Sequence, residues 1–301
     1  MQKSLWLTLC GIAVCGMVAG QVKKQFTVEN TPACQDIKLH LRANSGNCII
    51  KPSQGTEILN AFSNQDPSAY SHHYRRETVG NTCVVYLNLK DSESHSIGQT
   101  ISTRMFNNAS ASGSSKFWKM YLTNTKPYAL ELDYAVGKAD VDLSGLAIRK
   151  LKINTGSADV SVGYYTLENQ IIMDTFDVKV DLGSLNVENI NLSRTRYMVA
   201  DVGFGNMLLD FSNAPLVSNK IRGTVGAGNL IIILPSDDIP VKVKVTDSWL
   251  CSVTMPESMK KTGSNTYTSS SWSNTATNVL EFDLDVSMGS IVFKQQSAGN
   301  K

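Results

Sequence analysis

The sequence lacks an excess of charge of either sign. It contains 28 Lys and Arg residues against 26 Asp and Glu residues, a formal net charge of +2, which falls by one if the N-terminal Lys3 is removed. Binding to nucleic-acid phosphates requires clustered basic side chains, whereas the basic residues here are scattered along the chain. We therefore expect no nucleic-acid partner.

Long apolar runs are also missing after residue 20. The longest dense run there, Leu230–Leu234, is far shorter than the ~20 residues that span a bilayer, so we expect no integral membrane segment in the mature chain. Before residue 20, a basic Lys3, the apolar run 5–15 and the small residues Val18-Ala19-Gly20 are typical of an export signal that is cleaved after Gly20. The alternative is an uncleaved membrane anchor, because the apolar stretch is near the minimum spanning length.

Motifs of nucleophilic catalysis and of metal binding are absent. No G-x-S-x-G elbow occurs, and no cysteine has a candidate base near it in the sequence. His72-His73 is the only histidine pair. Adjacent residues of a strand point to opposite faces, so these two histidines are poorly placed to share a metal ion. We expect no catalytic residues, no metal and no cofactor.

Cysteine is scarce, and its distribution indicates a disulfide near the N-terminus. Removal of the leader leaves Cys34, Cys48, Cys83 and Cys251, an even number that allows three complete pairings in an exported chain. Three of them lie in the first part of the chain. We expect at least one disulfide there, most simply Cys34–Cys48 or Cys48–Cys83, with four unpaired thiols as the alternative.

The sequence does contain one short motif that recurs between Gly137 and Ile233. Each copy has a glycine, one or two small residues, a polar residue and then apolar residues: GKADVDL, GSADVSV, LGSLNV, GFGNMLLD and GAGNLIII. The steps of about 19 to 25 residues are typical of solenoids and stacked arrays. Aligned on the polar residue, the copies fall at Asp140, Asp159, Ser184, Asn206 and Asn229, with further copies at Asn47 and Ser290.

These repeats predict an all-β fold, a short-stranded β-solenoid or stacked β-roll built from strand–Gly corner–strand repeats. Alternating apolar residues place one face of each strand inward, and neighbouring units must stack to bury that face. The polar residue after the glycine is expected to hydrogen-bond the backbone of the turn. The predicted organisation is a signal peptide at 1–20, an N-terminal β region of similar style at 21–115 and the β-solenoid domain at 116–301.

The run from Phe117 through Phe293, especially YALELDYAVGKADVDLSGLAIRKLKINTGSADVSV, VGAGNLIIILPSDDIPVKVKV and LDVSMGSIVF, resembles the bacterial toast-rack domains and the related adhesin head-like domains of exported envelope proteins. The resemblance implies a β-solenoid without assigned catalytic residues, located in the periplasm, on the cell surface or outside the cell. It also implies an adhesin-like, scaffold or sensing role, with an envelope protein or a glycan as partner.

The recurring acidic residues suggest two more specific hypotheses, calcium binding and carbohydrate cleavage. Calcium-binding β-rolls place Asp at a nine-residue period, which is less than half of the period here. A β-helix-type carbohydrate-active enzyme, either a polysaccharide lyase or a glycosidase, would need paired carboxylates, for which Asp140 and Asp159 are the candidates. Asn and Ser replace Asp in other copies, and this substitution favours a structural role for the position.

Aromatic residues in the last part of the chain are the best candidates for ligand binding. Trp249, Tyr267 and Trp272, with Tyr164-Tyr165 on an earlier corner, could form a flat platform for a sugar or a peptide. The alternative is that they cap the end of the array. Two of the three candidates lie in the polar segment 262–278, which departs from the repeat and is expected to be a surface loop.

Overall fold

The structure, a computed structural model, describes residues 22–64, 70–91 and 117–295. The export signal predicted at 1–20 and the domain boundary predicted near residue 115 lie outside the described residues. The described part of the chain is built almost entirely of β-strands, which confirms the predicted all-β class. None of its helices is long and apolar enough to cross a membrane.

The strands form two sheets, in which most neighbouring strands are parallel. Numbered along the chain, the strands of the first sheet are, in spatial order, β1 (Lys23–Val28), β4 (Leu59–Ser63), β7 (Phe117–Thr123), β3 (Asn47–Ser53), β9 (Lys138–Asp142), β11 (Asp159–Gly163), β13 (Ser184–Glu188), β15 (Asn206–Asp210), β17 (Asn229–Leu234), β23 (Ser290–Gln295) and β19 (Ser252–Thr254). Those of the second sheet are β20 (Lys260–Lys261), β21 (Thr266–Thr268), β18 (Val241–Asp247), β22 (Leu280–Val286), β16 (Asn219–Val225), β14 (Thr195–Val202), β12 (Met173–Val180), β10 (Ala147–Thr155), β8 (Pro127–Tyr134), β2 (Asp36–Ala43), β6 (Thr82–Asp91) and β5 (Tyr70–Val79). Within the described residues, one 3-10 turn occupies Ile190–Ser193.

One rung of the array consists of a strand of the second sheet, a corner and a strand of the first sheet. For example, β8 and β9 form one rung and β10 and β11 the next, with β10 parallel to β8 and β11 parallel to β9. Alternate side chains of each strand point between the two sheets, as do the buried residues of β8, which are Tyr128, Leu130, Leu132 and Tyr134. Stacking the rungs joins these rows into one continuous core, which a single rung could not form. The predicted β-solenoid is therefore confirmed.

The rungs do not stack strictly in chain order. The rung of β2 and β3 lies between that of β6 and β7 and that of β8 and β9, and the final rung of β22 and β23 lies inside that of β18 and β19. Antiparallel strands cover one end of the array in both sheets, with β1 and β4 in the first and β5 in the second. At the other end, the antiparallel β20 and β21 cover only the second sheet, and the first sheet ends at the short parallel strand β19. Strands from both sides of residue 115 are hydrogen-bonded to each other in both sheets, β3 to β7 in the first and β2 to β8 in the second. The edge strands β19 and β20 are short, which limits edge-to-edge pairing.

Two buried asparagines support the turns that return the chain from the first sheet to the second. The Asn169 side chain accepts a hydrogen bond from the Ile148 amide at 2.7 Å and donates to the carbonyl oxygens of Ile148 at 2.7 Å and Ser193 at 3.1 Å. One turn further along the array, Asn191 Nδ2 donates to the carbonyl oxygen of Phe211 at 2.8 Å. Buried backbone groups need such partners, because an unpaired one is costly. The turns can therefore lie inside the protein.

The cysteines pair differently from the expectation. Cys34 and Cys83 form a disulfide whose Cα atoms lie 5.2 Å apart, because Cys34 precedes β2 and Cys83 lies in the neighbouring β6. The pairings Cys34–Cys48 and Cys48–Cys83 are wrong, since Cys48 lies in β3 of the facing sheet, opposite Trp118 of β7. Burial raises the pKa of the Cys48 thiol to about 12. Cys48 and Cys251 are unpaired thiols.

Candidate functional site

Glycines bring the corners of successive rungs into close backbone contact. Gly205, Gly228 and Gly289 each precede the first residue of a strand in the first sheet. A Cβ added at Gly228 would overlap the carbonyl oxygen of Gly205, and a Cβ added at Gly289 would overlap that of Gly228. No other residue fits here without a backbone shift. The corners therefore keep the spacing of the strands, and the residue before each of these glycines lies at the tip of its corner.

The polar residues that follow the corners hydrogen-bond one another across the rungs, and we call them the polar ladder. Ser184 Oγ donates to Asp159 Oδ1 at 2.8 Å. Further along, Asn229 Nδ2 donates to Asn206 Oδ1 at 2.8 Å, and Ser290 Oγ donates to Asn229 Oδ1 at 2.7 Å. These bonds join neighbouring rungs, whereas bonds to the turn backbone were expected. Short side chains that accept or donate can alternate in such a ladder, which explains why Asp, Asn and Ser share the position.

Asp140 does not belong to the polar ladder, so the alignment that placed it there is wrong. In the structure Asp159 is paired with Lys138, and Asp140 is paired with Ser161. The residue before the strand is Gly137 in this copy and Ala158 in the next, and the Asp159 amide donates to the Gly137 carbonyl oxygen at 2.9 Å, which places Lys138 beside Asp159. A lysine thus occupies the ladder position of this rung.

Other acids of the repeats have turn roles. Asp142 Oδ1 accepts a hydrogen bond from the Ser144 amide at 2.9 Å, and Asp210 Oδ1 accepts one from the Ser212 amide at 2.8 Å. A carboxylate that accepts a hydrogen bond from the backbone amide two residues later forms an Asx turn. Among the residues that the structure describes, no group of three or more His, Cys, Asp or Glu side chains could hold a metal ion.

Asp140 and Asp159 line the same shallow depression on the outer face of the first sheet. The depression has a volume of about 540 Å³, and Phe117, Lys138 and Ser161 are also in its lining. The two acids lie diagonally on the neighbouring strands β9 and β11, and both are exposed. A glycosidase instead needs one carboxyl that stays protonated as the general acid, and burial against apolar side chains is what raises its pKa. The depression can therefore offer hydrogen bonds to a ligand, but it lacks the enclosure that this chemistry uses.

The residues at the tips of five neighbouring corners form an exposed row, which we call the corner ridge. Its backbone amides at positions 204, 227 and 288 each donate to the preceding corner at 2.8 Å, so the tips lie side by side along the array. Four of the five are large apolar residues with exposed fractions of 57%, 72%, 59% and 90%. In spatial order, the corner ridge consists of Leu182, Phe204, Ala227, Met288 and Trp249. A contiguous exposed apolar surface of this kind marks an interaction site in soluble proteins.

The two flanks of the corner ridge differ in charge. On the side of the second sheet lie Asp181, Asp201, Asp247 and Asp285, and of these Asp181 pairs with Lys179 at 3.1 Å. Four carboxylates against one ammonium group leave this flank clearly negative. On the side of the first sheet lies the polar ladder, which is neutral next to the ridge because it consists of Ser and Asn there. The site is thus an apolar row with one acidic flank.

The three aromatic residues proposed as a ligand platform do not converge. Trp249 belongs to the corner ridge, beyond the C-terminal end of β18. Trp272 lies near the opposite end of that strand, where Lys242 Nζ is 5.5 Å from its ring. Tyr267 packs against the core. The part of Trp249, Tyr267 and Trp272 in ligand binding stays a prediction, but they do not form one flat surface.

The earlier pair of tyrosines is divided between the core and the surface. Tyr164 is only 1% exposed, so it cannot present its ring to a ligand. Tyr165 is 41% exposed, and its hydroxyl lies 3.4 Å from Ser161 Oγ. The expected contribution of Tyr164 to a platform is therefore wrong.

Sequence reasoning missed the corner ridge, apart from Trp249. A signal was nevertheless present, because the tip residue of several copies is an apolar residue next to glycine: Leu182 before Gly183, Phe204 between two glycines and Met288 before Gly289. A large apolar residue in a glycine corner cannot reach the core, since the corner turns it outward. That these apolar residues occupy equivalent positions became clear only when the register between the copies was known.

The model of the family described as the N-terminal domain of toast_rack (DUF2154) matches residues 18–183. Among solved structures, the crystal structure of a "putative cell adhesion protein" from Clostridium sporogenes ATCC 15579 is similar to the chain, with 16% identity, a TM-score of 0.43, and coverage of 92% of this chain and 100% of that one. No curated protein matches the chain.

The matched family residues include the first rungs of the array, β2 to β12, and end at the corner glycine Gly183. The resemblance seen in the sequence from Phe117 onward is therefore confirmed for residues 117–183, and the family match also includes the N-terminal β region predicted at 21–115. Since the family model covers more than half of the sequence, the chain belongs to the family of the N-terminal domain of toast_rack.

Proposed function

We propose that the chain is an exported, non-enzymatic module of the cell envelope that acts as an adhesin-like binding protein. The observation that carries this proposal is the corner ridge, on which Leu182, Phe204, Met288 and Trp249 are all at least half exposed. Large apolar side chains on a rigid array are costly to leave in water, unless a partner covers them. A scaffold or sensing role would use the same surface.

The proposal is supported by the rigidity of the site and by the predicted leader. The tips are held by corners whose backbones touch, so a partner would meet a surface that needs little ordering on binding. The sequence of residues 1–20 is typical of an export signal, and the Cys34–Cys83 disulfide suits an oxidising compartment. The family to which the chain belongs is consistent with an envelope protein.

The test is adhesion of beads coated with the full chain to immobilised bacterial envelopes. Replacing Leu182, Phe204 and Met288 together by Ser is expected to reduce bead retention at least tenfold, with unchanged thermal unfolding. The matched control is Leu167→Ser, because Leu167 is 62% exposed but lies outside the corner ridge. Retention of the triple variant at the level of the unchanged protein would contradict the proposal.

A carbohydrate-active enzyme of the β-helix type is the second candidate function. One observation favours it, namely that Asp140 and Asp159 share a depression with Lys138. Incubation of the purified chain with acidic and neutral polysaccharides tests it by the release of reducing ends or of unsaturated products. Release that is abolished by Asp140→Asn or Asp159→Asn would establish the enzyme and overturn the non-enzymatic proposal.

A further inference from the structure

The corner ridge contains a notch. Phe204 and Met288 project from the corners on either side of the small Ala227, and all three tips are exposed. Because neighbouring strands lie ~4.8 Å apart, the two large side chains start about 10 Å from each other, which leaves room for one apolar side chain between them. Glycines precede and follow Ala227, so nothing in that corner fills the notch.

The acidic flank runs past this notch, with Asp201 and Asp285 on the two strands beside β16 and Asp247 one strand farther along. Asp285 and Asp247 are both exposed, on the corner ends of β22 and β18, and Asp201 accepts a hydrogen bond from Thr224 at 2.7 Å. In the next outward row, farther from the corner, Asp283 lies between Arg222 and Lys244, so the net negative charge beside the notch is limited to the rim of the ridge. A ligand seated on the ridge would thus meet carboxylates along one edge only.

We propose that the corner ridge binds a protein segment in which apolar side chains alternate with lysine or arginine, whose long and flexible side chains can bend toward the acidic flank. One apolar side chain would enter the notch beside Ala227, and the basic side chains would face Asp247 and Asp285. This inference rests on the proposed function and names the chemistry of its partner. A second copy of the chain fits less well, because its own ridge has only an acidic and a neutral flank and offers no basic complement. An anionic bilayer fits less well for the same reason, since it would face the acidic flank.

The test uses three labelled seven-residue peptides and the full chain, with fluorescence anisotropy as the readout. Saturable binding is expected for Lys-Leu-Lys-Phe-Lys-Leu-Lys, and binding at least tenfold weaker for the matched peptide with Glu in place of Lys and for the one with Ser in place of Leu and Phe. Binding should weaken as NaCl is raised from 50 to 300 mM, because exposed charges are screened over about 10 Å or less.

Two variants locate the binding site. Ala227→Gln fills the notch without adding charge, and it should weaken binding of the basic peptide at least fivefold. The double change Asp247→Asn with Asp285→Asn should weaken it similarly and flatten the salt dependence, while the control Glu257→Gln on another surface should change neither. Thermal unfolding of each variant shows that it is folded.

The results separate this inference from the proposed function. Equal affinity for the basic and acidic peptides, unchanged affinity in both ridge variants, tighter binding to anionic lipid vesicles, or self-association that is lost in Ala227→Gln would each overturn the partner chemistry. If bead retention nevertheless depends on the corner ridge, the proposed function stands and only the basic apolar segment is wrong. If retention does not depend on the ridge, the proposed function itself is wrong.

Discussion

Asn229 donates a hydrogen bond from its side-chain amide to Oδ1 of Asn206 on the neighbouring rung, at 2.8 Å. Asn229 Oδ1 in turn accepts from Ser290 at 2.7 Å, so a donor meets an acceptor at both of these steps along the polar ladder. The position therefore requires complementary partners on adjacent rungs. A row of carboxylates would not satisfy this requirement, because carboxylates only accept.

Replacing Asn206 and Asn229 together by Asp should destabilise the protein by more than the sum of the two single changes. Two carboxylates would face each other across neighbouring strands, and like charges directly opposite are unfavourable by roughly 0.2–1 kcal/mol. A double-mutant cycle measured by urea unfolding at pH 7 checks this. The excess should vanish near pH 2.5, where both carboxyls are protonated; additive effects at both pH values would contradict the ladder.

Gly228→Ala should destabilise the protein strongly, because the added Cβ would overlap the carbonyl oxygen of Gly205. We expect a loss of about 1–3 kcal/mol, or failure to fold, as for other overpacked sites. Gly226→Ala should cost less, since its Cβ would lie 2.9 Å from the oxygen of Gly203. Gly263→Ala is the control, with its nearest atom at 3.4 Å, and should change stability by less than about 0.5 kcal/mol. Equal effects at all three positions would show that close corner contact is not what these glycines provide.

The disulfide should be found between Cys34 and Cys83 by peptide mapping without reduction. Replacing both residues by Ser should lower the free energy of unfolding by about 2–4 kcal/mol, because the link closes a loop with a sequence separation of 49 residues. Cys48 should resist alkylation at pH 8 until the protein is unfolded, since burial raises its pKa to about 12. A cross-linked peptide that contains Cys48 would contradict the structure.

Asp177→Asn should stabilise the protein slightly at pH 7 and not at pH 3. Partial burial raises the pKa of Asp177 from its ordinary value of 3.8, although Lys152 acts in the opposite direction. A folded-state pKa above the unfolded one means that the stability contributed by the protonated form is lost as pH rises through the folded pKa. Because the side chain is only partly buried, the gain should be under about 1 kcal/mol. Urea unfolding of the variant and of Glu257→Gln at both pH values checks this, and a loss of stability at pH 7 would contradict it.

The sequence was sufficient for the architecture because the period of the repeat and the alternation along each strand are local patterns. It was not sufficient for the register, since GKAD and GSAD look equivalent and only the backbone contact of Gly137 shows that Lys138, rather than Asp140, lies beside Asp159. The disulfide was missed for a related reason. The inverted order of the end rungs places β2 beside β6 and so brings Cys34 next to Cys83. This order cannot be predicted from the spacing of the cysteines along the sequence.

The corner ridge was missed because its residues are about 20 to 60 positions apart and become neighbours only when the rungs are stacked. Within one copy, Phe204 is a single exposed apolar residue, which is common on protein surfaces and has no meaning by itself. Four such residues in one row indicate a binding surface, and the row forms only when the rungs stack.

Hydroxyl-radical footprinting of the full chain, free and bound to immobilised bacterial envelopes, tests the central claim most directly. Met288 and Trp249 are among the side-chain types that oxidise most readily, and they are 59% and 90% exposed in the free protein. We predict that their oxidation slows at least fivefold on binding, while that of Tyr197, which is 55% exposed on the outer face of the second sheet, does not change. Unchanged oxidation of Met288 and Trp249 in the bound protein would contradict a binding role for the corner ridge.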